Sequence, residues 1–153
     1  MALIFSQSMR NLMIGRGLLA NFASPCSISI YTGIQPTTND VISNWSAYNS
    51  GTSGFLIHYT GATWTQPSSG ILMQLTTFPA AGFPVNTGTA TWCILWATAI
   101  TGANVAATTL PSNNFLIGPC SDSVGLGVIR FANPNLSTAA SAVILDGSVG
   151  ATF

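Results

Sequence analysis

Alternation of apolar and polar residues is clearest at Ser-Ile-Ser-Ile-Tyr-Thr-Gly-Ile-Gln-Pro, residues 27–36. That period of two predicts a half-buried strand with Ile28 and Ile30 on its core face. Gly33 and Pro36 end it, because glycine permits a turn conformation and proline cannot donate to a strand ladder. The one helical signal precedes it. Phe5, Met9, Leu12, Met13 and Leu19 recur at three-and-four spacing over residues 4–20, with Ser6 or Ser8 available as an N-cap. Gly15 and Gly17 weaken the second half of that helix, each by about 1 kcal/mol relative to alanine.

Beyond residue 36 the pattern is one of strands and turns. Residues 37–54 are rich in Asn, Ser, Thr and Gly and hold Trp45 and Tyr48, which reads as a long loop. A short strand is expected over 55–60, then turn chemistry over 61–70 around Thr63-Trp64-Thr65 and Pro67, then a strand over 71–77. The Phe-Pro-Ala-Ala-Gly-Phe-Pro run at 78–84 is a rigid connector. Residues 88–99 are apolar on both sides, Trp92, Ile94 and Trp96 against Cys93, Leu95 and Ala97. A strand of that kind sits centrally in a sheet covered on both faces. Further strands are expected at 105–110, 114–117, 125–131 and 142–146, the last ending in an Asp146-Gly147 turn, with 149–153 closing the chain. About eight strands with one short N-terminal helix predict a mainly β chain. The expected architecture is an antiparallel β-sandwich or jelly-roll-like fold, in a single domain over 1–153 with the helix or arm at 4–20 and the sandwich at 27–153.

Charge changes the picture more than hydrophobicity does. Only 4% of residues are charged, three Arg and three Asp with no Lys or Glu, and the net charge is zero. A typical soluble domain carries roughly 25%. A surface built from Ser, Thr, Asn, Gly and apolar side chains suits a protein packed against neighbours, where each buried charge would need a partner. The same numbers argue against an electrostatic grip on nucleic acid. No run approaches the 18 or so apolar residues of a membrane helix. No secretory signal is expected either, since the first residues lack a positive segment and Arg10 and Arg16 interrupt the apolar stretch.

Candidate chemistry is sparse. Cys26, Cys93 and Cys120 are widely spaced and odd in number, so they read as small buried hydrophobes rather than a disulfide framework or zinc site. His58 stands alone in a strand; a triad would have to recruit Asp40, Asp122 or Asp146, and no nucleophile elbow accompanies it. Clustered carboxylates for a metal are absent, and no cofactor is implied. The residues with contact potential are the loop aromatics Trp45, Tyr48 and Trp64 and the methionine stripe Met9 and Met13, each of which has core packing as its alternative. Trp45 and Trp64 would also serve a carbohydrate-binding module as a stacking platform.

Four short motifs occur in a set order: Arg10-Asn11, Tyr31-Thr32-Gly33-Ile34-Gln35-Pro36, Gly88-Thr89-Ala90-Thr91-Trp92 and Asp146-Gly147-Ser148-Val149-Gly150. In that order they resemble a group of small tailed-bacteriophage virion structural proteins. The group often has an Arg after the Trp strand, whereas Cys93-Ile94-Leu95-Trp96 here stays apolar. The resemblance implies a non-enzymatic virion component but not its place on the particle; the expected partners are copies of itself and other virion proteins, with a tail, neck or fibre-attachment position slightly favoured. A capsid-decorating protein and a carbohydrate- or host-surface-binding module are the alternatives.

Overall fold

The computed structural model describes residues 4–5, 22, 25–36, 54–65, 71–97 and 115–150. The chain is mainly β, and its strands run in the order β1 (Ile4–Phe5), β2 (Cys26–Tyr31), β3 (Phe55–Thr65), β4 (Ile71–Thr77), β5 (Gly88–Thr89), β6 (Trp92–Trp96), β7 (Phe115–Ser121), β8 (Ile129–Phe131), β9 (Asn135–Leu136) and β10 (Ile144–Gly150). Eight of them form one large sheet in the order β1-β7-β6-β2-β3-β4-β10-β8, and β5 and β9 pair separately.

The sheet returns on itself, because β8 also pairs with β7. Both β1 and β8 use the same edge of β7: β1 at Leu116 and Ile117, β8 at Cys120 and Ser121. The circuit β7-β6-β2-β3-β4-β10-β8 therefore has seven members. Alternating directions cannot close around an odd ring, so one neighbouring pair must be parallel. That pair is β7–β8, and every other pairing in the sheet is antiparallel. The expectation of a purely antiparallel sheet is corrected to a mixed one, for this reason of parity.

Strand β3 makes closure possible. Its register against β2 shifts between Cys26 and Ser27, leaving Gly61 as an extra residue with φ +81°. Such a left-handed position suits glycine, and a bulge bends its strand. Before the bulge β3 pairs with β2; after it, Thr63–Thr65 pair with β4. The turn expected at 61–65 is thus strand, since pairing with β2 at Ala62 and with β4 at Thr63–Thr65 outweighs local turn chemistry.

Cys26, Ile28, Ile30, Ile57, Tyr59, Trp64, Leu75, Cys93, Leu95, Leu116, Ile129, Phe131 and Val149 belong to the main core. A second buried cluster of Tyr31, Phe55, Trp92, Ile94, Trp96, Phe115 and Ile117 lies on the reverse face of β2, β3, β6 and β7. All six residues of β2 and all five of β6 are buried. The central, two-faced strand expected from the sequence is therefore present, as Trp92–Trp96. Strand β2 is more deeply set than a half-buried strand, because Ser27 and Ser29 are buried with their apolar neighbours.

Other boundaries move. Strand β4 has the expected limits. Strand β7 runs on through Gly118 and Pro119 to Ser121, whereas β8 is confined to Ile129–Phe131. The Asp146-Gly147 turn is corrected to the middle of β10, where both residues pair with β8. Gly147 is closely packed there: a Cβ would lie 3.1–3.2 Å from Ile129, Leu75 and Trp64, tighter than ordinary van der Waals contact. Of the expected helix over 4–20, Ile4 and Phe5 are strand instead, paired with β7, and residues 6–20 lie outside the described residues, as do the strands expected at 105–110 and 151–153.

Candidate functional site

The polar groups with chemical potential are dispersed, and each is held by a structural partner. His58 sits opposite Ser29 in the β2–β3 ladder. Its Nδ1 lies 2.9 Å from the Ser29 hydroxyl, which also accepts the Trp96 indole N–H at 2.9 Å. A serine oxygen that accepts from Trp96 still has its own proton to give, and His58 Nδ1 is an acceptor in reach. The three side chains thus link β2, β3 and β6.

All three described cysteines are free and buried. Cys26 Sγ accepts the Trp64 indole N–H at 3.0 Å and donates to the Ala62 carbonyl at 3.2 Å. Burial pushes its thiol up to about 11, partly offset by the Trp64 hydrogen bond. Cys120 is likewise held protonated, first by burial and then by Cys93 beside it. Burial, reinforced by Cys120, also raises the Tyr59 phenol, whose hydroxyl donates to the Ala142 carbonyl at 2.9 Å. Reactive cysteines sit in exposed, electropositive surroundings. These thiols do not.

The two described acids serve the fold as well. Asp146 and Arg130 face each other across β10 and β8 and form an ion pair. Asp122 Oδ1 accepts the N–H groups of Val124 and Gly125 at 3.2 and 2.9 Å. The Ser121 hydroxyl closes the same loop, accepting from Gly127 N at 3.0 Å and donating to the Asp122 carbonyl at 3.0 Å. A side chain at Gly125 or Gly127 would come within 2.7 Å of Ser121, so the loop requires both glycines. Among the described residues no three His, Cys, Asp or Glu gather to hold a metal. No helix there is long and apolar enough to cross a membrane.

That loop displays what the polar groups do not. Val124 is 87% and Leu126 100% exposed. Ile34, 94% exposed, lies at the same end of the sheet. The link runs through Thr91, whose hydroxyl donates to the Gly33 carbonyl at 2.7 Å and whose carbonyl accepts from Cys120 N at 2.9 Å. Three fully presented aliphatic side chains therefore crown one end, two of them on an internally hydrogen-bonded loop. Such a rigid display loses little entropy when it is covered.

Of the contact residues expected from the sequence, Trp64 is corrected. It is 3% exposed in the main core, over Gly147, and offers no platform to a sugar. Met9, Met13, Trp45, Tyr48 and Asp40 lie outside the described residues. The apolar crown was not anticipated, since Leu126 fell within the strand expected over 125–131; the signal for it is the aliphatics set between polar and glycine residues in Asp-Ser-Val-Gly-Leu-Gly. The fold and these groups define a mainly β protein with one large mixed sheet. Comparison with known protein families, with curated proteins and with solved structures finds no match.

Proposed function

We propose that this chain is a non-enzymatic structural component of a tailed-phage virion, packed against copies of itself or neighbouring virion proteins. The observation that carries the reading is the character of the surface. Ile34, Val124 and Leu126 are presented to solvent, on a chain with only 4% charged residues and no net charge. A protein built to remain alone keeps a mixed charged surface and few exposed large aliphatics. An assembled protein covers the aliphatics and has no need of the charges.

The ordered motifs that resemble small virion proteins supply the particle. Two of them meet in space, since Thr91 of the Gly-Thr-Ala-Thr-Trp segment holds Gly33 of the Tyr-x-Gly-x-Gln-Pro turn. A tail, neck or fibre-attachment position is the favoured placement, with capsid decoration as its alternative. A sandwich-like or jelly-roll-like arrangement belongs to the same reading, supported by the bend of β3 at Gly61 between two groups of strands. The carbohydrate-binding alternative loses Trp64 as a stacking surface, because that ring is buried.

Mass spectrometry of purified particles is the direct test. The chain is expected among the virion proteins in a fixed ratio to the others. Its absence from intact particles would overturn the reading.

A further inference from the structure

Cys93 and Cys120 lie on neighbouring strands and on the same side of the sheet. Cys93 stands opposite Gly118 on β7. Two residues further along β7, the Cys120 N–H donates to the Thr91 carbonyl at 2.9 Å, which continues the same register. Both cysteines belong to the main core, whereas Trp92 and Ile94 belong to the reverse face. The two thiols are therefore diagonal neighbours, and they are in hydrogen-bonding contact. Gly118 adds no side chain beside them.

Diagonal spacing decides what such a pair can hold. Diagonal residues of an antiparallel pair have Cα atoms roughly 7–8 Å apart. A disulfide needs about 4.4–6.8 Å, so the strands would have to shift to close one. An ion bonded to both sulfurs in a line holds them roughly 4.6 Å apart, twice a metal–thiolate bond, and suits diagonal cysteines without that shift. Among the described residues no third His, Cys, Asp or Glu joins the pair, so zinc, which takes four ligands, is not satisfied. A soft ion that is complete with two thiolates is.

We infer that Cys93 and Cys120 form a two-coordinate site for a soft d10 metal ion, with the mercuric ion as the form that suits this core. The divalent ion displaces both thiol protons to solvent: one ion and two thiols give a bis-thiolate and two protons, with no change of oxidation state. The bound product is neutral. A monovalent ion such as Cu(I) would leave a net negative charge among apolar side chains, and an unpaired buried charge is costly. Arg130, the one arginine among the described residues, is already paired with Asp146. Cys120 is 8% exposed and Cys93 fully buried, which makes Cys120 the point of entry. The site is independent of the virion reading.

One equivalent of mercuric chloride added to the full chain tests this, read by X-ray absorption at the mercury edge, by proton release in unbuffered solution and by far-UV circular dichroism. The expected result is two sulfur ligands per ion, two protons released and an unchanged far-UV spectrum. Cys93→Ala and Cys120→Ala should each remove one sulfur from the mercury and weaken binding at least tenfold, whereas Cys26→Ala should leave both readings as they are. Zinc chloride should not bind at the same concentration. A single sulfur on the mercury in the wild type overturns the inference. So does a two-sulfur shell that survives Cys93→Ala or Cys120→Ala, or an ion that binds only as the far-UV signal is lost. The wild-type sulfur count needs no variant, so it decides the matter even where a substitution unfolds the chain.

Discussion

The indole N–H of Trp96 donates to the hydroxyl of Ser29 at 2.9 Å, joining two side chains that are both fully buried on adjacent strands. His58 meets the same hydroxyl from the third strand. One small polar atom thus serves a face built otherwise of aromatic and isoleucine side chains. Buried polar groups are tolerated when they are satisfied and costly when a partner is removed. Ser29→Ala is therefore expected to lower unfolding free energy by about 1–3 kcal/mol, measured by urea denaturation. An unchanged midpoint would show that the hydroxyl contributes nothing to joining the three strands.

Trp64 separates a packing role from a binding role. Its ring fills the core over Gly147 and its N–H reaches Cys26. Trp64→Ala should cost about 3–5 kcal/mol, the range for deleting a large buried aromatic. Trp64→Phe should recover much of that loss by keeping the ring volume. Both variants are to be compared by thermal and urea unfolding, and equal losses in the two would count against packing as the main role.

Two glycines are predicted to fail for different reasons. Gly61→Ala forces a side chain onto φ +81° although nothing lies within 4 Å of the new atom. The expected cost is about 1–2 kcal/mol, from backbone conformation alone. Gly147→Ala meets Trp64, Leu75 and Ile129 within 3.2 Å, and overpacking of that kind costs about 1–3 kcal/mol. Pairing Gly147→Ala with Ile129→Val removes the Cδ1 atom that the new methyl would meet at 3.1 Å, so the double variant should lose less than the sum of the singles. Strict additivity would contradict the steric account.

Alkaline pH should unfold the protein through its buried thiols and phenol. Cys26 has a thiol pKa raised from 9.0 to about 11 in the fold. The folded state therefore holds its proton more tightly than the unfolded chain does. The resulting stability is complete below pH 9.0 and is lost as pH rises through about 11. Full loss of this one contribution amounts to roughly 2–3 kcal/mol. Tyr59 and Cys120 shift in the same direction, both chiefly through burial. Urea midpoints measured from pH 8 to 11 should fall steadily, and Cys26→Ala should flatten the fall. A slope that Cys26→Ala leaves unchanged would refute the assignment.

What is legible in the sequence is what depends on near neighbours. Strand β4 has its expected limits because an alternating run between turn residues carries its own boundaries. The two-sided burial of Trp92–Trp96 follows from apolar residues at both parities. Burial of Cys26, Cys93 and Cys120 follows from the absence of any pairing or ligand spacing around them. The misread segments share one physical cause. Thr63-Trp64-Thr65 and Asp146-Gly147 have the composition of turns, yet a neighbouring strand pairs with each, β4 with the first and β8 with the second. The candidate contact surface is local in origin, since Leu126 owes its exposure to a short loop closed by Ser121 and Asp122.

The sequence by itself determined the β class, the low charge that directs the reading towards assembly, and the core side of β2, where Ile28 and Ile30 point inward. Each is a property of composition or of a period of two, which a strand expresses wherever it is placed. The tertiary structure alone decided that the sheet returns on itself, that β7 and β8 run parallel, and that Ser29 lies beneath Trp96. Those outcomes depend on how many strands join the circuit and in what order. Both are set by contacts between segments far apart in the chain, and no local pattern encodes them.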